Sequence, residues 1–111
     1  MKDCVFCQIL NGNKPGVVIA RDEARRLAII ENAHPEGAIH WLAIPYEHFE
    51  STEAFQRHDQ VRFLELLAFA VEQTRRHTPD YPALAPGFSL KLHMGNYETQ
   101  PHPKLHILSV E

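Results

Sequence analysis

The sequence predicts an α+β domain with a mainly antiparallel sheet. Two observations carry that prediction. Residues 58–77 hold apolar side chains at helical spacing over a length no other segment matches. Short aliphatic or alternating runs flank this stretch, three before it and two after, or one more helix if the opening residues are counted. With 111 residues the chain has room for one domain, residues 1–111, and not for two.

Each element has its own justification. Residues 4–10 form a short helix, stopped near Asn11-Gly12-Asn13 by residues suited to helix ends. Residues 17–20 and 27–31 are aliphatic and enclose the polar segment 21–26, so they read as a hairpin. Pro35 and Gly37 make residues 32–37 a turn. Residues 38–44 are a strand halted by Pro45. On the long helix, Val61, Leu64, Ala68 and Val71 fall on one stripe, widened by Phe63, Leu67 and Ala70; that stripe is expected to face the core. Thr78-Pro79 ends the helix. Pro82 and Pro86 make residues 81–87 a loop. Residues 88–93 alternate as a strand, with Phe88, Leu90 and Leu92 on one face. Residues 95–101 are a loop, and residues 103–110 are the last strand.

Composition narrows the function classes. Net charge is −3 and no lysine or arginine block is present, which argues against nonspecific binding to nucleic acid or an anionic membrane. The apolar run 66–71 is far short of the ~20 residues a bilayer needs. The first residues lead into no apolar leader segment. With only two cysteines, a reducing, cytoplasmic setting is expected, where Cys-x-x-Cys is more often a metal or redox pair than a disulfide.

Two sets of residues carry chemistry. Cys4 and Cys7 are spaced so that one helical turn presents both sulfurs to one ion. His48, after the third strand, and His102, before the last, are the best candidates to complete a tetrahedral zinc set. The alternative is that both cysteines simply pack a terminal helix. The second set is the tail, His102-Pro103-Lys104-Leu105-His106. If it is extended, His102, Lys104 and His106 share one face, while Leu105 and Ile107 take the other.

The opening Asp3-Cys-Val-Phe-Cys7, the central segment from Leu27-Ala-Ile-Ile-Glu-Asn32 through Gly37-Ala-Ile-His40-Trp-Leu-Ala-Ile-Pro45-Tyr-Glu-His48, and this tail together resemble the histidine triad family, in its branch of small nucleotide-binding hydrolases. The tail resembles a triad whose middle histidine has become Lys104. The resemblance implies the histidine triad fold: a five-stranded sheet, one long helix and a short N-terminal helix. It implies structural zinc on Cys4, Cys7, His48 and His102, and a homodimer formed through the long helix and central strand. It implies a purine nucleotide or nucleotide conjugate as partner, with Ile30 near the base and Asn32 at the ribose hydroxyls. In the loop before the triad, Asn96, Thr99 and Gln100 are the available phosphate contacts, and Glu98 would repel phosphate if it pointed inward. His93 matches the residue that assists the nucleophile. His106 is the charge-stabilising third histidine.

Lys104 stands where family enzymes form a nucleotidyl-histidine. A protonated lysine has no lone pair for attack, and its reference pKa is about 10.4. The expectation is therefore a purine-nucleotide-binding protein with a degenerate triad and impaired nucleotidyl hydrolase or transferase chemistry. The alternatives are an active phosphoramidate or dinucleotide hydrolase using Lys104 or a rearranged histidine, and a noncatalytic zinc-stabilised dimeric interaction module.

Overall fold

A computed structural model describes residues 4–110; Asp3, at the head of the Cys-x-x-Cys segment, and Glu111 lie outside the described residues. The elements run α1 (Val5–Leu10), β1 (Val18–Asp22), β2 (Leu27–Glu31), β3 (His40–Pro45), α2 (Thr52–His58), α3 (Gln60–His77), β4 (Phe88–Lys91) and β5 (Leu105–Ser109). The five strands form one sheet in the order β1-β2-β3-β5-β4, and every neighbouring pair is antiparallel. The expected class and the expected sheet are both present.

The sheet is covered on both faces, and strand alternation sorts its residues between them. Leu27 and Ile29 of β2, Trp41 and Ala43 of β3, and Leu105 and Ile107 of β5 pack toward α3, meeting Leu66, Phe69 and Ala70. Ala28, Ile30, Leu42 and Ile44 point the other way and meet Cys4, Phe6 and Cys7 around α1. This explains why β2 and β3 read as near-continuous apolar runs although the sheet is antiparallel. It also fixes the face of the tail: His106 pairs with Leu42, so its side chain belongs to the α1 side.

Three expectations need correction. Ser51 caps an additional helix, α2, by accepting from the Ala54 N–H. Asp59 then breaks the helical run and caps α3 by accepting from the Arg62 N–H, so α3 begins at Gln60 rather than at residue 58. The core stripe of α3 is also rotated. Leu66, Phe69, Ala70 and Thr74 are buried, whereas Val61 and Leu64 are 71% and 62% exposed. The helix is apolar on most of its circumference, so spacing alone could not tell which side met the sheet. Finally, Leu90 of the edge strand β4 is exposed, while Phe88 and Leu92 pack on the core as expected.

Candidate functional site

The α1 side of the sheet carries two adjoining sites, and residues 102–106 contribute to both.

The first is a metal-type centre. Among the described residues, Cys4, Cys7, His48 and His102 bring one ligand atom each to within 4.8 Å of all the others. Cys4 is the N-cap of α1, and its Sγ accepts from the Cys7 N–H, which sets both thiols on the first turn. Cys4 Sγ lies 3.4 Å from His102 Nδ1, and Cys7 Sγ lies 3.5 Å from His48 Nδ1 and 3.6 Å from His102 Nδ1. A tetrahedral ion with Zn–S near 2.3 Å and Zn–N near 2.05 Å would separate sulfur from nitrogen by about 3.6 Å. The donor set therefore fits a four-coordinate metal. His102 is oriented for it: the Nε2–H donates to the Pro45 carbonyl at 2.8 Å, leaving the Nδ1 lone pair toward the sulfurs. His102 is fully buried, and burial pulls its pKa down to about 4, which keeps the imidazole neutral. Burial, with Cys4 adding to it, pushes the Cys7 thiol up to about 11.

The second site is a cavity of about 540 Å³ between α1, the 32–36 turn and the 93–100 segment. Phe6, Ile9, Ile30 and Leu42 give it apolar walls, and His93, Lys104 and His106 form part of its polar lining. Of the residues the sequence singles out, Ile30, Asn32, Thr99 and Gln100 also line it. Asn96 is exposed and does not. Asn32 Oδ1 accepts from the His34 N–H at 2.9 Å, so this side chain also shapes the turn.

A chain of imidazoles crosses the cavity floor. The Glu36 N–H donates to His40 Nδ1 at 3.1 Å. His40 therefore carries its proton on Nε2, which lies 2.8 Å from His106 Nδ1 and donates to it. His106 in turn carries its proton on Nε2. Its other face meets His93, with ring centroids 4.4 Å apart. Burial first, then His93 and His40, pulls His106 down to about 4, so it is neutral near pH 7. Burial likewise lowers the pKa of His40.

Lys104 is buried, and its Nζ donates to the Gln100 carbonyl at 2.6 Å and to Glu98 Oε2 at 3.3 Å. The Phe6 ring lies beneath the ammonium, 5.3 Å away. Burial lowers the pKa of Lys104, and the Glu98 carboxylate opposes that shift. Glu98 does point inward. Its carboxylate also accepts from the Thr52 N–H at 2.8 Å and from the Thr52 hydroxyl, and that same hydroxyl oxygen accepts from the Lys104 N–H at 3.1 Å. Thr52 was not found from sequence because α2 was not. Ser51 ahead of Thr52-Glu53-Ala54 is the capping signal that marks it.

The family model described as "Scavenger mRNA decapping enzyme C-term binding" matches residues 3–110. Several solved structures are similar to the chain. A histidine triad protein from Clostridium difficile is 20% identical with a TM-score of 0.83, the match covering 100% of this chain and 93% of that one. A hypothetical histidine triad nucleotide-binding protein from Sulfolobus tokodaii is 28% identical with a TM-score of 0.78, covering 96% and 68%. A zinc-bound histidine triad family protein from Mycobacterium smegmatis is 23% identical with a TM-score of 0.80, covering 99% and 76%. No curated protein sequence matches the chain significantly.

Proposed function

The chain belongs to the histidine triad family, and on that premise we propose that it binds the purine nucleoside part of a nucleotide or nucleotide conjugate without turning it over efficiently. The observation that carries this reading is Lys104. It stands at the position of the triad's middle histidine, and its ammonium is committed to the Glu98 carboxylate and the Gln100 carbonyl. An amine held as a cation between two acceptors has no lone pair to offer phosphorus.

The neighbouring histidines do not replace it. His106 Nδ1 is engaged by His40, and its Nε2 carries the proton, so His106 meets the cavity as a donor. That suits it to steady charge on a bound ligand, with His93 stacked against it. Ile30 and Asn32 are the proposed base and ribose contacts, and Thr99 and Gln100 stand at the cavity's other rim.

The metal is proposed to be zinc, held by Cys4, Cys7, His48 and His102. It would supply a structural cross-link between α1 and the ends of β3 and β5. The zinc-bound relative and the sulfur–nitrogen separations support this identity. A homodimer through α3 is supported by the exposed stripe of Val61 and Leu64; Phe69 is fully buried in the core and is not available to it.

Assaying the purified chain with an adenosine phosphoramidate tests the central reading. Weak or absent turnover is expected, with gain of activity in Lys104→His. Robust turnover with a nucleotide trapped on any side chain would overturn it. Elemental analysis of protein prepared without chelator tests the metal: about one zinc per chain is expected, and a metal-free protein would sink that part of the proposal.

A further inference from the structure

We infer that Glu98 is a specificity-determining residue, which turns the cavity toward uncharged purine nucleosides and away from their phosphates. This rests on the reading that the cavity takes a purine nucleoside. A phosphomonoester carries roughly −1.5 to −2 charge near neutral pH and needs cations or N–H groups to receive it. Among the described residues lining the cavity, Lys104 is the one lysine or arginine, set against Glu31, Glu36 and Glu98. Glu36 has an outside partner in Lys91, at 3.2 Å.

The Lys104 charge is already answered from within. Its Nζ is 3.3 Å from Glu98 Oε2, and the two side chains are only 7% and 4% exposed. The nearby donors on Thr52, its N–H and its hydroxyl, are turned to the same carboxylate. Glu98 thus satisfies the anion-seeking groups of this corner as a ligand phosphate otherwise would. An incoming phosphate meets a buried carboxylate rather than a free ammonium, and like charges at such distances repel strongly where water is scarce. The remaining wall has no such conflict. Phe6, Ile9, Ile30 and Leu42 offer an apolar slot for a base, and Asn32 beside them is a neutral hydrogen-bonding group for a sugar.

Calorimetric titration of the full chain with adenosine and with adenosine 5′-monophosphate, in the wild type and in Glu98→Gln, tests this. Glutamine keeps the shape and an acceptor for Thr52 while removing the charge. The wild type is expected to bind adenosine about tenfold or more tighter than the monophosphate. Glu98→Gln is expected to move that ratio toward the monophosphate by about tenfold or more, less at high salt. A wild type that binds the monophosphate at least as tightly as adenosine overturns the inference while leaving the nucleoside reading intact. So does a folded Glu98→Gln variant with an unchanged ratio. If neither adenosine nor guanosine binds, with or without phosphate, the nucleoside reading itself falls and this inference with it. Should Glu98→Gln fail to fold, the wild-type ratio alone decides.

Discussion

The metal-type centre and the cavity beside it draw on one five-residue stretch, yet they are built in opposite ways. At the centre, four donors from α1, the end of β3 and the start of β5 converge on one point, and a carbonyl turns His102 the right way round. In the cavity, the same stretch supplies Lys104, and the groups around it have been rearranged to neutralise it. The alternation of an extended chain places both jobs on one face. Retention of His102 therefore testifies to the fold and says nothing of catalysis; Lys104 and His106 are the residues that bear on ligand chemistry.

Breaking the centre should have the largest effect. If a metal is held there, chelation or Cys7→Ser removes a link between α1 and two strand ends. A loss of several kcal/mol is expected, visible as a fall in Tm on the order of 10 °C or more. An unchanged melting curve after metal removal would reduce the centre to ordinary packing. Next comes the cavity's ion pair. Lys104→Met leaves a nearly buried Glu98 carboxylate without its cation and is expected to cost about 3 kcal/mol. Adding Glu98→Gln should recover much of that, so the double variant melts above the single one. Strict additivity would mean the two side chains are not coupled.

Acid should reach the cavity through His106. Its imidazole binds a proton near pH 4 in the folded state and near 6.5 when unfolded, so stability is complete above about 6.5 and falls as pH drops toward 4. His93, His40, Lys104 and Lys91 all push the same way around it. The loss is on the order of 2 kcal/mol across that window. His106→Gln should show a shallower slope than the wild type over pH 4 to 6.5 in denaturant titrations, which separates it from the titration of His102. The smallest effect belongs to neither region. The Thr74 hydroxyl is buried without a partner on α3, so Thr74→Val should raise stability by about 1 kcal/mol and leave both sites untouched. A shift in metal content or ligand affinity from that change would mean the two regions are not independent of the core.

The two regions also differed in how much of them was legible in the sequence. Cys-x-x-Cys at the head of a helix and histidines at two strand ends are signals of position, and the structure brings those four residues together. Ile30, Asn32, His93, Thr99, Gln100, Lys104 and His106 all reached the cavity lining, but Asn96 did not. What surrounds Lys104 could not be read in advance. Glu98 and Thr52 are 46 positions apart, joined only once α2 exists and the 95–101 segment folds back over it. The α3 stripe failed for a different reason: Val61 and Leu64 satisfy the helical period as well as Leu66 and Phe69 do, and only packing chooses between them.

The backbone N–H of residue 36 has a reach beyond its own turn. By occupying His40 Nδ1 it sets the polarity of everything downstream, so that protons point from the turn toward the cavity and lone pairs point back. The floor of the cavity is consequently a giver of hydrogen. Whatever atom comes to rest on His106 must bring a lone pair with it, as a ring nitrogen or a sugar oxygen does, and a ligand that presents only N–H or O–H there meets a closed door. A proline at position 36 would delete that N–H and release the polarity of the whole row without touching a single side chain that lines the ligand.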